Sequence, residues 1–146
     1  MMQCYTKDGL REIRGKILIL GDSISDIGDY VSFLNGYLAI TENTQITIIN
    51  GGVSSETCSG LSEPEHPFPR PCVLGRIDAA LQKVKPDWVI LSYGVNDGIY
   101  YPFEEGRFAA YKNGMTALIQ KVQQCGARAV ALTPLCFDAA ADGVVT

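Results

Sequence analysis

A serine stands three residues beyond a short aliphatic run, in the string Gly21-Asp22-Ser23-Ile24-Ser25-Asp26. A glycine there lets the backbone turn sharply at a strand end, and a serine at the start of the following helix lies close to free backbone N–H groups. Such a serine can attack an acyl carbon while backbone donors receive the oxyanion. Taken alone, the same string also describes a serine that only caps a helix. Two further turns follow apolar runs: Asn50-Gly51-Gly52-Val53-Ser54-Ser55-Glu56-Thr57 and Gly94-Val95-Asn96-Asp97-Gly98. Together they can bring a backbone N–H and the Asn96 side-chain amide to one point, which is the chemistry of an oxyanion hole. Singly, Asn96 and Asp97 read as turn formers. Three strand ends carrying complementary chemistry weaken that simpler account.

Four apolar runs must position these residues: Lys16-Ile17-Leu18-Ile19-Leu20, Ile46-Thr47-Ile48-Ile49, Trp88-Val89-Ile90-Leu91 and Ala129-Val130-Ala131-Leu132. Their length and content predict buried strands. Helical spacing separates them. Tyr30, Phe33, Leu34, Tyr37 and Leu38 form one stripe, Leu74, Ile77, Leu81 and Val84 a second that stops before Pro86, and Phe108, Tyr111, Met115, Leu118, Ile119 and Val122 a third that Gly126 is placed to end. Alternating strands and helices predict an α/β fold with a doubly wound parallel sheet, whose chemistry collects beyond the carboxyl ends of the strands. The Ser/Glu/Pro-rich segment 54–71 reads as a long ordered loop walling that edge, with Glu56, Glu63 and Glu65 on a solvated face or hydrogen-bonding rim and Arg70 and Arg76 in structural pairs with acidic neighbours, the alternative for the arginines being to hold a substrate carboxylate.

The 146 residues, 47% of them hydrophobic, suit one domain over 1–146 with a core able to fold unaided. A net charge of -4 without a basic cluster argues against nucleic acid or an anionic membrane surface as partner. No apolar stretch reaches bilayer length and residues 1–16 lack a signal-peptide core, so the expectation is a cytoplasmic protein without a membrane span. Five cysteines without a Cys-x-x-Cys pair indicate neither a zinc site nor a full disulfide framework, and a Cys58–Cys72 link would need an oxidising compartment. A nucleotide-binding module would need a phosphate-cradling loop after the first strand. Asp22 stands there instead, with no lysine of the Gly-x-x-x-x-Gly-Lys kind.

Gly21-Asp22-Ser23-Ile24 resembles the GDS(L) block of SGNH hydrolases, and Gly94-Val95-Asn96-Asp97 resembles that family's Gly-x-Asn-Asp block, in the same order. The resemblance implies a flavodoxin-like sheet, an acyl-enzyme on Ser23, small-molecule ester substrates and no cofactor or metal. It assigns oxyanion donors to the Ser23 N–H, the Asn96 amide and the middle-block residue at Ser55, where the family usually has glycine. A second departure concerns the base: the family's Asp-x-x-His has no counterpart, since Asp142 is followed three places on by Val145. The one histidine, His66, lies in the Pro-rich loop and reads as a rim residue. The expected architecture is therefore four strands of the family fold, with the fifth strand and last helix missing. That leaves the Ala129–Leu132 strand as an open edge, to be met by self-association, an exchanged segment or a covering C-terminal tail. The expected activity is carbohydrate acetylesterase or small-ester/lysophospholipid esterase chemistry that is weak in the 146-residue chain, the alternative being an SGNH-like binding domain that lacks its base.

Overall fold

The structure, a computed structural model, describes residues 13–134. Cys4, Cys136 and Asp142 lie outside those residues. Four strands, β1 (Gly15–Gly21), β2 (Ile46–Asn50), β3 (Trp88–Ser92) and β4 (Arg128–Ala131), form one sheet in the order β2-β1-β3-β4. Every pairing is parallel, with Leu18 opposite Ile49 and Val89, and Val89 opposite Ala129. This is the α/β arrangement that the alternation of elements predicts. Each strand falls within a residue of its apolar run, because short aliphatic runs are how core-facing strands show in a sequence; the expectation that all four are buried fails for β4, an edge strand that is mostly exposed, and β2 is only partly buried.

Register partners in a parallel sheet share a face, so Leu18, Leu20, Val89, Leu91 and Ala129 point one way. Onto them pack α3 (Ile77–Val84) and α4 (Glu105–Gln124), contributing Ile77, Leu81, Met115, Leu118 and Val122 to one core. Each such aliphatic side chain withdrawn from water contributes about 1.5–3 kcal/mol. Lys85, at φ +49, closes α3 just before Pro86. Gly114 in mid-α4 has a reason: a Cβ there would stand 2.2 Å from the Cys58 carbonyl oxygen, so its absence lets the 51–72 loop lie directly on the helix.

The opposite face differs from expectation. A short helix α1 (Ser23–Ile27) precedes α2 (Asp29–Ile40), which contains the Tyr30–Leu38 stripe, the two divided at Gly28 with φ +84. Of α2's residues only Val31 is buried, whereas Phe33 is 79% and Ile40 84% exposed, with Leu34 and Tyr37 exposed as well. The apolar stripe is real, yet among the described residues nothing covers it. Val130 and Leu132 are also exposed, and β4 has no second neighbour there. No helix of the described residues is long and apolar enough to cross a membrane.

Candidate active site

β1 delivers Ser23. Its last residue, Gly21, leads into Asp22, whose carboxylate accepts from the Ile24 N–H at 3.0 Å and whose carbonyl accepts from Ser25 and Asp26 N–H. Asp22 is therefore the helix cap. Ser23 becomes the first residue of α1, half-buried, and its hydroxyl meets no hydrogen-bond partner among the described residues. Burial raises the Asp22 pKa above the ordinary carboxylate value, and the negative charges of Asp97 and Glu56 add to that.

β2 delivers the second turn. Gly51 N–H donates to the Ile19 carbonyl and Val53 N–H to the Gly21 carbonyl, extending the ladder past the strand's end. Gly52 lies so close to α1 that a Cβ would stand 2.4 Å from the Asp26 nitrogen. Polar bonds fasten the contact: Asn50 Nδ2 donates to the Ser25 carbonyl at 2.6 Å, and Ser54 donates to Asp26 Oδ2 from its N–H at 3.2 Å and its hydroxyl at 2.7 Å. Ser55 follows at φ +64, in the left-handed region, and its N–H has no partner among the described residues. Serine can hold this conformation, at a cost of about 1–2 kcal/mol relative to glycine.

β3 delivers Asn96, in the short 3-10 turn Asn96–Gly98, and the residue is 3% exposed. Its Nδ2 donates to the Glu56 carbonyl at 3.2 Å, and its Oδ1 accepts from the Tyr100 hydroxyl at 3.4 Å. An amide nitrogen carries two hydrogens, so one remains to donate elsewhere. Asp97 Oδ1 accepts from the N–H groups of Cys58 (3.0 Å) and Ser59 (2.7 Å), tying the same loop to the third turn. Its Oδ2 is buried without a partner among the described residues. Ile99 and Tyr100 both adopt positive φ, a concentration of backbone strain beside Asn96 that nothing in the sequence announces.

Ser23, Ser55 and Asn96 thus follow three adjacent strands at one edge of the sheet, with the Ser55 and Asn96 turns bonded directly to one another. Glu56 corrects the sequence reading. It is 1% exposed, not part of a solvated rim, because Arg76 Nε and Nη2 each bind its carboxylate at 2.6 Å and the Tyr93 hydroxyl donates to it at 2.7 Å. Burial first, then the adjacent Glu56 charge, push the Tyr93 hydroxyl well above its ordinary pKa and keep it a donor. Arg70 pairs with Glu63 and holds that carboxyl down to about 2, while Glu65 stays exposed and accepts from Tyr101. Cys58 and Cys72 are free thiols, and burial raises the pKa of the first. His66 Nδ1 lies 2.5 Å from the Phe68 carbonyl, with the ring edge-on to Phe68, so its contacts are local to the loop.

Beside the Ser23 turn opens a cavity of about 290 Å³, lined by Ile24, Tyr30, Tyr93, Val95, Leu132 and Pro134. A second, of about 150 Å³, lies under Tyr101, Phe103, Phe108 and Tyr111. A larger concavity, about 1040 Å³ between Asp87, Trp88, Lys121 and Arg128, sits at the opposite edge. Size does not make it the site, since none of the three strand-end turns reaches it.

Residues 19–144 match the GDSL-like lipase/acylhydrolase family. The chain belongs to that family. Among solved structures, this GDSL-family chain is similar to the psychrotrophic esterase EstA of a Pseudoalteromonas species, determined inhibited by monoethylphosphonate, at 27% identity and a TM-score of 0.63, over 82% of this chain and 61% of that one. Axe2, an acetylxylan esterase of Geobacillus stearothermophilus, shares 24% identity with a TM-score of 0.64, over 83% of this chain and 60% of its own. TesA shares 24% identity with a TM-score of 0.66, over 86% of this chain and 63% of its own. The likeness to Axe2 and TesA shows the flavodoxin-like SGNH fold. The chain spans about three-fifths of the length of these proteins. No curated protein sequence matches it.

Proposed function

We propose that this chain supplies the nucleophile and the oxyanion hole of a serine ester hydrolase acting on small esters, with acetylated carbohydrates and short-chain acyl esters as the substrate classes. Ser23 Oγ attacks the ester carbonyl, and its proton leaves to a base. The Ser23 and Ser55 N–H groups and the free Asn96 hydrogen receive the negative oxygen of the tetrahedral intermediate. Collapse breaks the ester C–O bond, the alcohol departs with a proton, and water then cleaves the acyl-serine to a carboxylic acid. The cavity beside Ile24 and Tyr30 suits a short acyl group, and the aromatic hollow near Tyr101 suits the alcohol.

One observation carries this reading: Asn96 gives one amide hydrogen to the residue next to Ser55 and keeps the other, at the edge where Ser23 begins α1. The Ser23 hydroxyl has no base beside it among the described residues, and His66 is engaged with Phe68. Loss of the base in a serine hydrolase costs on the order of 10⁴ to 10⁶ in turnover, so the 146-residue chain is expected to be slow. Single-turnover release of p-nitrophenolate from p-nitrophenyl acetate tests this. A slow release should vanish in Ser23→Ala, fall roughly 10² to 10³ in Asn96→Ala, and persist in His66→Ala. Fast turnover abolished by His66→Ala would overturn the reading of the base. Release indifferent to Ser23→Ala would leave the site as an ester-binding one.

A further inference from the structure

Two buried groups, the Glu56 carboxylate and the Tyr93 hydroxyl, meet the half-buried Arg76 guanidinium behind the turn that presents Ser55, and none of the three takes part in the chemistry described above. We infer that Glu56 is a positioning residue, which through Arg76 and Tyr93 holds the Ser55 N–H and the Asn96 amide at the separation an oxyanion needs; the inference rests on the site reading above.

Stability alone is a weak reason for such a cluster, because an ion pair with one partner withdrawn from water often does no better than well-packed apolar residues in its place. The connections of Glu56 give a stronger one. Its N–H donates to the Val53 carbonyl at 3.2 Å and its own carbonyl accepts the Asn96 amide at 3.2 Å, so its backbone joins the second turn to the third. Its side chain is fixed by three donors. Arg76 Nη2 also donates to the Gly51 carbonyl at 2.7 Å, so one guanidinium grips both ends of the 51–56 turn. Tyr93, three residues before Asn96, fastens the same carboxylate to the end of β3. Ser55 sits between these anchors at φ +64, a conformation that persists in a non-glycine residue only when its surroundings over-determine it. An oxyanion hole has to be held to within about 0.5 Å, and this cluster constrains both proposed donors from one point.

The test uses Glu56→Gln, Tyr93→Phe and Asn96→Ala, singly and combined, in the single-turnover p-nitrophenyl acetate assay with Ser23→Ala as blank. Glu56→Gln should slow Ser23-dependent release about tenfold and Tyr93→Phe about threefold, with half-saturation unchanged. In the Asn96→Ala background both effects should shrink to less than about twofold, the non-additivity expected of groups acting through one another. The Asn96 side-chain amide signals in a ¹H–¹⁵N correlation spectrum should shift and exchange faster with solvent in both variants. Should Glu56→Gln fail to fold, Tyr93→Phe, which removes one hydrogen bond and no charge, carries the test. Unchanged rates and unchanged Asn96 signals in a folded variant would overturn the inference, as would the same fold-loss with and without Asn96. If wild-type release does not depend on Ser23, or Asn96→Ala leaves it unchanged, the site reading itself fails.

Discussion

The two faces of the sheet are built from equally apolar sequence and end in different states. Leu18, Leu20, Val89 and Leu91 disappear beneath α3 and α4, while on the other face Ile19 is fully buried but Ile17 and Ile90, in the same strands, stay half-buried, and Val130 and, on α2, Phe33 are exposed. Amphipathic patterning specifies which side chains seek a partner, but the partner must be supplied by another element. On the closed face α3, α4 and the 51–72 loop supply it, and that face also anchors the polar cluster behind Ser55 and Asn96. Ser23 has a different footing, at the start of α1 and joined to the second turn through Asp26 and Asn50. Two of the three proposed site residues thus depend on the closed face, and the third stands where the open face begins.

The largest expected effect separates the faces directly. Leu118→Ala, at a fully buried position between α4 and the sheet, should destabilise by about 2–5 kcal/mol through lost burial and the cavity left behind. Phe33→Ser, on the open face, should change stability by no more than about 0.5 kcal/mol. Urea unfolding of both variants measures the difference, and equal losses would show that the open face is covered in solution. A smaller effect, of opposite sign, is expected at the turn that the closed face constrains. Ser55→Gly relieves the positive φ while keeping the N–H, and should stabilise by about 1 kcal/mol in the same titration. Destabilisation would mean that the serine side chain contributes contacts that outweigh its strain.

The smallest effect belongs to the 51–72 loop. Arg70 depresses the Glu63 carboxyl to about 2, so the stability from this pair is present above the ordinary carboxylate value of about 4.5 and is lost as pH falls from there through about 2. Thermal unfolding followed from pH 6 to pH 2 should therefore decline less steeply for Glu63→Gln than for wild type. Parallel slopes would remove the pair from the account.

Strand positions, the parallel sheet and the edge that holds the turns were legible in the sequence because each depends on local runs and on the order of elements. The placement of Ser23 and Asn96 just beyond strand ends was legible because glycine-bearing turns after apolar runs mark those ends in the residue types themselves. Ser55 was legible only as a departure from a glycine, and its φ of +64 gives that departure a physical meaning. Glu56 was misread because loop composition says solvent, whereas its burial depends on Arg76, twenty positions away, and on Tyr93, thirty-seven away. Pairing at that distance leaves no local signal. The exposure of α2 was missed for a related reason: a stripe of Phe33, Leu34 and Tyr37 looks the same whether or not something covers it.

The central claim, that Ser23 is a nucleophile facing an oxyanion hole, is tested most directly by incubating the chain with an ethyl fluorophosphonate and mapping the modified residue by peptide mass spectrometry. The account predicts slow addition of one ethylphosphonyl group, located on Ser23, and its suppression in Asn96→Ala. Modification of another residue, or an unmodified Ser23 after prolonged exposure, would contradict it.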